Sequence, residues 1–213
     1  MLLLTFIRHG ETDWNRAMRF QGHSDVPLND AGLAQAAALG QRLAAEPAPD
    51  AVVCSDLQRA RQTAEPALQR WRLAAELDAG LREQAFGVIE GLHADAIHRE
   101  HPALWQRWTQ HQADFAPPGG ESTVQFSQRV LQAVDRLATA HRPAEGGQRH
   151  VMVFTHGGVL DMLWRHVHGL PLNGRRECAI PNTGINRLRW AGGRLHIDAW
   201  GDASHLEDKP LSP

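Results

Sequence analysis

The stretch Leu2-Leu3-Leu4-Thr5-Phe6-Ile7-Arg8-His9-Gly10 is an almost unbroken apolar run that ends at two basic residues and a glycine. Such a run, without alternation, is typical of a central strand in a parallel sheet, which is buried on both faces. The pattern returns at Val151-Met152-Val153-Phe154-Thr155-His156-Gly157. Ligands of open α/β sheets bind beyond the carboxyl ends of the strands. If the two strands are neighbours, they bring His9 and His156 into one pocket.

The rest of the chain alternates between apolar strand patterns and amphipathic helix patterns, which predicts a three-layer α/β/α sandwich with a mostly parallel central sheet. Residues 51–54 and 72–77 are predicted strands, and residues 185–200 a hairpin around Gly192-Gly193. Four helices are predicted: one begins after an N-cap at Asp30, and a second runs from about Leu57 to Gln69. A third contains Phe126, Val130, Val134 and Leu137, and the fourth follows His156. In the Asp30 helix, the apolar face is predicted to hold Leu33, Ala36, Ala37, Gly40 and Leu43.

Composition predicts one domain over residues 1–213, with 42% hydrophobic and 22% charged residues. The polar segment 92–118, broken at Pro102, is a predicted cap, a helical insertion over the edge of the sheet where the site is expected. A net charge of -2 argues against a nucleic-acid or membrane partner. The apolar run at the N-terminus is too short to span a membrane or act as a signal peptide. Two cysteines predict no disulfide framework, which favours a reducing cytoplasmic location.

Several motifs follow one another in a fixed order along the chain. They are Arg8-His9-Gly10-Glu11-Thr12, Trp14-Asn15, Gln21-Gly22, Ser55-Asp56-Leu57, Arg59-Ala60, Gln62-Thr63-Ala64, Leu81-Arg82-Glu83, Gly119-Gly120-Glu121-Ser122 and Thr155-His156-Gly157-Gly158. In this series the chain resembles the histidine phosphatase superfamily, which includes the cofactor-dependent phosphoglycerate mutases. The resemblance covers residues 3 to about 190.

The resemblance implies a role for each matching residue. His9 would be the nucleophile that becomes phosphorylated, and Glu83 the general acid and then the base. Arg8, Arg59 and His156 would surround the transferring phosphoryl group, because arginine forks suit phosphate oxygens. Substrate-binding contacts would also come from Asn15, Gln21, Gly22 and Gly157. For this chain we expect neither a metal nor a cofactor.

Ordinary structural roles remain as alternatives for some of these residues. Arg59 could be an ordinary solvent-exposed arginine on a helix. Glu11 and Glu90 are alternatives to Glu83 as the proton donor. The histidines at 93, 98 and 101 could suggest a metal site, but no nearby cysteine or His/carboxylate triad completes one. Trp105 and Trp108 could contact an apolar part of a substrate, although packing of the insertion onto the domain is the simpler explanation.

The remaining question is whether the phosphoryl group goes to water or to a sugar acid. The mutase branch carries a lysine after the Gly-x-x-x-Gly step and an arginine pair in a longer insertion. Here Leu92-His93-Ala94-Asp95 follows Gly91, and the segment 92–118 holds only Arg99 and Arg107. We therefore expect a phosphatase acting on a small phosphorylated metabolite. Arg175-Arg176 could supply a second anion site, but a surface loop is the simpler explanation.

Two other functions stay open at this stage. One is a 2,3-bisphosphoglycerate-dependent phosphoglycerate mutase, and the other is a non-catalytic domain that binds phosphorylated ligands. The oligomeric state is also open, with a homodimer through an exposed sheet edge as one alternative.

Overall fold

The computed structural model describes residues 1–206 and has a six-stranded mixed sheet between helices. The strands are β1 (Leu2–Arg8), β2 (Ala51–Cys54), β3 (Ala75–Leu77), β4 (Arg149–Thr155), β5 (Ile185–Ala191) and β6 (Arg194–Asp202), in the order β3-β2-β4-β1-β5-β6. β3, β2, β4 and β1 are parallel. β5 runs antiparallel to β1, and β6 antiparallel to β5. The predicted fold class is confirmed.

Seven α-helices accompany the sheet over the described residues. They are α1 (Asp13–Arg16), α2 (Asp30–Ala44), α3 (Gln58–Trp71), α4 (Ala94–Glu100), α5 (Pro102–Thr109), α6 (Thr123–Ala140) and α7 (Gly157–His168). Short 3₁₀ turns lie at Ala79–Leu81, Gly87–Ile89 and Ser204–Leu206. None of the helices in residues 1–206 is long and apolar enough to cross a membrane.

The core has two halves because successive strand side chains point to opposite faces of the sheet. In β4, Val151 and Val153 pack with α6 and α7, whereas Met152 and Phe154 pack with α2 and α3. Both halves are closed by fully buried residues of these four helices. This double burial is the reason why the strand sequences are continuous apolar runs, as predicted.

The two histidine-bearing strands are direct neighbours. β1 pairs with β4 in a register that sets Arg8 opposite Thr155, and the His9 backbone N–H donates to the Thr155 carbonyl at 2.9 Å. The chain therefore leaves the sheet at the same level on both strands. His9 and His156 meet at one edge, as the sequence predicted.

Helix α2 differs in detail from its predicted form. Asn29, and not Asp30, is the N-cap, because its side chain accepts a hydrogen bond from the Gly32 backbone. The predicted apolar face is also rotated: Leu33 is 47% exposed, whereas Leu39 is fully buried. Ala36, Gly40 and Leu43 of the predicted face are buried, so the rotation is small; it is independent of the N-cap, because residue spacing alone sets a helix face.

Two further predicted elements are shorter or divided. The predicted strand 72–77 begins only at Ala75, because Arg72 is the left-handed C-cap of α3, with a φ of 56°. The segment 92–118 holds α4 and α5, and Pro102 starts the second of these helices. The hairpin around Gly192-Gly193 is confirmed as β5 and β6. Cys54 is a buried free thiol, and burial raises its pKa to about 12.

Candidate active site

The site is built at the carboxyl ends of β1 and β4. The rings of His9 and His156 have their centroids 5.2 Å apart and are inclined at 57°. The glycine after each histidine has a different purpose. A Cβ on Gly10 would lie 2.7 Å from the Gly32 carbonyl oxygen, so Gly10 allows α2 to pack closely. Gly157, in contrast, lines the cavity in front of the histidines.

His9 is held as a neutral imidazole. Its Nδ1 lies 2.7 Å from the Gly10 carbonyl oxygen, and since a carbonyl only accepts, Nδ1 must carry the hydrogen. Nε2 is then the ring nitrogen with a free lone pair. Burial, followed by the charges of Arg59 and Arg8, holds the pKa of His9 well below its ordinary value. A buried, neutral and oriented imidazole is the form that a nucleophile requires.

His156 is fully buried, and its Nε2 lies 2.8 Å from the Ser55 hydroxyl. Burial, and then the charge of Arg59, holds the pKa of His156 well below its ordinary value. Its Nδ1 has no hydrogen-bond partner among the described residues. A buried polar atom of this kind is rare and calls for an explanation.

The two arginines show the same feature. Arg59, 0% exposed, donates to the Gly22 carbonyl at 2.7 Å and the Ser24 carbonyl at 2.8 Å, yet its Nε is buried without a partner in the described part of the chain. Arg8 donates to the Ile180 carbonyl at 2.6 Å, and its Nε is likewise unpaired. Burial, and then the charge of Arg176, lowers the pKa of Arg8 to about 10. Both guanidinium groups remain charged near neutral pH.

These groups surround a cavity of about 300 Å³. It is lined by Arg8, His9, Asn15, Met18, Arg19, Phe20, Gln21, Gly22, Arg59, Glu83, Phe86, Gly157 and Arg176. Buried donors with free capacity, fixed positive charge and two neutral imidazoles form a site suited to a tetrahedral oxyanion. Every residue predicted for the site lines the cavity except His156, whose ring lies next to that of His9.

Asn15, Gln21 and Gly22 are already engaged within the loop that follows β1. Asn15 Oδ1 accepts from the Thr12 backbone at 3.2 Å, and Gln21 Oε1 accepts from the Thr12 hydroxyl at 2.9 Å. The Gly22 carbonyl accepts from Arg59. These contacts hold the loop that forms the cavity wall. They use the oxygen of the Asn15 side chain, so its NH₂ group can still donate to a ligand in the cavity.

Glu83 is the carboxylate that the structure places on the cavity. Its Oε2 accepts from the Gly158 backbone N–H at 2.9 Å, and its Oε1 from the Gln84 backbone N–H at 2.9 Å. The competing carboxylates are used elsewhere. Glu90 accepts from the backbone N–H groups of residues 23, 24 and 86, and Glu11 from Arg16 and Asn29. The Gly158 N–H at the start of α7 is thus occupied by a protein carboxylate.

Sequence reasoning did not identify the group that holds the Glu83 loop. Arg129 of α6 donates to the carbonyl oxygens of Gly80, Arg82 and Glu83 at 2.9–3.0 Å. It also forms a two-pronged ion pair with Glu121, at 2.7 and 2.6 Å. Arg129 looks like an ordinary polar helix residue in the sequence. The available signal was its spacing, eight residues or about two helical turns after Glu121.

Arg176 lies in an exposed loop after α7, as expected, and it also lines the cavity. A Cβ on Gly157 would lie 3.4 Å from Arg176 Nη1 and 3.5 Å from Arg8 Nε, so both guanidinium groups approach the same point. Like charges that converge in this way favour an anion between them. No group of three histidine, cysteine or acidic residues in residues 1–206 could hold a metal ion.

The fold and the site together define an α/β protein whose paired histidines and arginines meet at the end of a parallel sheet. The family model of the histidine phosphatase superfamily (branch 1) matches residues 4–203, and the chain belongs to this family.

Two relatives come from Arabidopsis thaliana. Phosphoglycerate mutase-like protein 4 is 36% identical over 96% of this chain and 87% of its own length. The metal-independent phosphoserine phosphatase is 34% identical over 95% of this chain and 82% of its own. Among known structures, Bacillus stearothermophilus YhfR superposes with a TM-score of 0.87 at 33% identity, covering 97% of this chain and all of YhfR.

Proposed function

We propose that this chain is a phosphate monoester hydrolase in which His9 is transiently phosphorylated. The observation that carries the proposal is a group of buried nitrogens at this site that lack partners in residues 1–206. Arg8 Nε and Arg59 Nε belong to side chains that line the cavity with His9, and His156 Nδ1 belongs to the ring next to that of His9. A bound phosphoryl group offers them the acceptors that the protein itself does not supply.

The reaction has two steps. The His9 Nε2 lone pair forms the N–P bond while the P–O bond to the alcohol breaks, and Glu83 transfers a proton to the leaving oxygen. Glu83, now a carboxylate, takes a proton from water, whose oxygen attacks phosphorus. The N–P bond breaks, inorganic phosphate leaves, and His9 is neutral again. Arg8 and Arg59 stabilise the charge on the phosphoryl oxygens in both steps.

The segment 92–118 supports hydrolysis over transfer to a sugar acid. Arg99 pairs with Glu100 at 2.8 Å, and Arg107 lies over the ring of Phe115 at 4.4 Å. Neither arginine lines the cavity, so neither offers the cationic clamp that would retain a bisphosphorylated intermediate. Because all proposed catalytic positions are filled, a non-catalytic binding domain is disfavoured.

Two observations favour the mutase alternative: Arg176 places an additional cation beside the phosphate cavity, and one of the relatives above is a phosphoglycerate mutase-like protein. The two activities differ in their requirement for a primer. A mutase interconverts phosphoglycerates only when 2,3-bisphosphoglycerate is added, whereas a phosphatase releases phosphate without it. We propose release without a primer.

The proposed substrate is a phosphorylated metabolite, with no nucleic-acid partner. The free thiols of Cys54 and Cys178 support a reducing compartment, and we propose the cytoplasm.

The test is to trap the phosphoenzyme. Quenching during turnover of an aryl phosphate, followed by mass spectrometry, should find an acid-labile phosphoryl group on the peptide that contains His9. His9→Ala should abolish both the adduct and turnover. His196→Ala is a matched control, because His196 is an exposed histidine of the edge strand β6. Wild-type turnover in His9→Ala would contradict the mechanism.

A further inference from the structure

Arg176 lies at the junction of two cavities. A second cavity, of about 580 Å³, lies beside the phosphate cavity, and both are lined by Glu83, Phe86 and Arg176. Within residues 1–206, the Arg176 guanidinium has one ion-pair partner, Asp161, whose Oδ1 lies 4.0 Å from Arg176 Nε. That separation is too long for a hydrogen bond, and this oxygen has no other partner there. The donors of Arg176 therefore remain available for a ligand.

Arg176 points to the same place as Arg8. A Cβ on Gly157 would lie 3.4 Å from Arg176 Nη1 and 3.5 Å from Arg8 Nε, so both side chains reach one point in front of Gly157. Arg8 lines the phosphate cavity but not the second cavity, so this point belongs to the phosphate side. Two cations repel each other at such a distance, and an anion bound between them replaces the repulsion with attraction.

The position of Arg176 is set by Arg165 of α7. The Arg165 side chain is 4% exposed, and its Nε donates to Asp161 Oδ2 at 3.1 Å. Its two terminal nitrogens donate to the carbonyl oxygens of residues 171, 173, 174 and 175, at 2.5–3.3 Å. A guanidinium has five N–H donors, so every donor of Arg165 is engaged and none is left for a substrate. Arg165 therefore fixes the loop up to the residue that precedes Arg176.

The same loop is also attached to the segment 92–118. Asn173 Oδ1 accepts from the Ala113 backbone N–H at 2.7 Å, and the Gly174 N–H donates to the His111 carbonyl at 3.3 Å. Residues 173–176 are exposed, yet their backbone is held from α7 on one side and from the segment after α5 on the other. An exposed arginine is thus presented by a backbone that is anchored on both sides.

We propose that Arg176 is a third arginine that binds the transferred phosphoryl group, and that Arg165 is the residue that positions it. The role assigned to Arg176 rests on the proposed function. Arg8 and Arg59 use some of their donors on protein carbonyls, whereas Arg176 offers its whole fork from the rim of the cavity. A free fork can bind two phosphoryl oxygens at once. Arg176 is then no clamp for a second anionic group, which removes one of the two observations that favour the mutase alternative.

The first test measures the binding of inorganic phosphate by calorimetry, because phosphate has no alcohol and reports on the phosphoryl site alone. Arg176→Gln should weaken phosphate binding about tenfold, the effect expected when a charge-assisted hydrogen bond is lost. Arg176→Lys should recover part of this loss, since it keeps the charge without the fork. Arg175→Gln is the matched control: Arg175 is an adjacent, exposed arginine that lines only the second cavity. It should change the Kd less than about twofold.

Turnover distinguishes a phosphoryl contact from a contact to the alcohol. Ethyl phosphate and phosphoglycolate are both two-carbon esters, and only phosphoglycolate carries a carboxylate. Arg176→Gln should lower kcat/KM at least about tenfold for both esters and by similar factors. A loss confined to phosphoglycolate, with phosphate binding unchanged, would overturn the proposal. Equal effects of Arg175→Gln and Arg176→Gln would also overturn it, because they would indicate a general field of positive charge.

The positioning role has its own test. Arg165→Gln should weaken phosphate binding about as much as Arg176→Gln, and it should add less than about twofold in the Arg176→Gln background. Asn173→Ala checks the same point from the exposed side of the loop and leaves the buried network intact. It should weaken phosphate binding about threefold, but not when Arg176 is already replaced. Additive losses would contradict positioning. Wild-type phosphate affinity in Arg176→Gln would overturn this inference alone, whereas no phosphate binding by the wild type would overturn the proposed function.

Discussion

Replacing Gly158 by alanine perturbs the proposed proton donor without touching the nucleophile. Gly158 is the second residue of α7, and its N–H holds Glu83 Oε2 at 2.9 Å. A Cβ at this position would lie 3.0 Å from Glu83 Cδ, closer still to Oε1, and 3.0 Å from Phe126 Cε1. Non-bonded carbons prefer about 3.5–4.0 Å, and Oε1 would lie closer to the added Cβ than Cδ does, so this oxygen must move by about 1 Å or more.

A displacement of this size separates activity from stability. A catalytic group misplaced by about 1 Å costs on the order of 100-fold in rate, which is about 2.7 kcal/mol of transition-state stabilisation. We expect this loss in kcat/KM for alkyl phosphates, whose poor leaving groups need the proton. Aryl phosphates should lose less than about tenfold. Alanine is favoured over glycine in helices by up to about 1 kcal/mol, which offsets the crowding of Phe126, so Tm should change by only a few degrees.

The assay is a double-mutant cycle with Glu83→Gln, measured as phosphate release from an alkyl and an aryl ester. If Gly158→Ala acts through Glu83, it should change kcat/KM by less than about threefold in the Glu83→Gln background. Two outcomes would refute the reasoning. One is alkyl phosphate turnover within about threefold of wild type in Gly158→Ala, and the other is a fully additive loss in the double variant.

Two further predictions concern Arg129 and the acid dependence of stability. Arg129→Gln should lower kcat for alkyl phosphates about 10- to 100-fold with little change in KM, because the loop carbonyls and Glu121 lose their shared donor. Arg129→Lys should restore part of the lost kcat. A rise in KM alone would contradict this role. Since the pKa values of His9 and His156 lie well below 6.5 in the folded state, the unfolded chain binds more protons as pH falls through 6.5. The free energy of unfolding measured in urea should therefore be lower at pH 5.5 than at pH 7.5, with a shallower decrease in His9→Gln, and an increase toward acid would contradict the assignment.

The fold was predictable because its signals are local and strong. Strands buried on both faces must be apolar throughout, so β1 and β4 stand out as runs that end at histidines. Helix boundaries were less accurate, because Asn29 and Asp30 are adjacent residues that both suit an N-cap. Which of the two residues is the N-cap depends on whose side-chain oxygen reaches the Gly32 backbone N–H. The residue types alone do not specify that distance.

The site was predictable only where residues follow a strand end or a motif. Arg8, His9 and His156 lie at strand ends and in motifs, Arg59 lies in a motif at the start of α3, and all four line or support one cavity. Arg129 and Arg176 have neither, because they reach the site from α6 and from the loop after α7. Their contribution arises from the packing of elements that are distant in sequence.

The sequence by itself determined the class of fold, the family and the chemistry of the phosphate pocket, because periodicity, strand ends and ordered motifs are properties of neighbouring residues. Only the tertiary structure decided that Glu83, rather than Glu11 or Glu90, faces the cavity, since each carboxylate is defined by the backbone N–H groups that surround it. The tertiary structure alone also showed that a second cavity, lined by both polar and aromatic side chains, lies beyond Glu83. The volume and the walls of a cavity depend on how distant elements pack, and no local pattern specifies that packing.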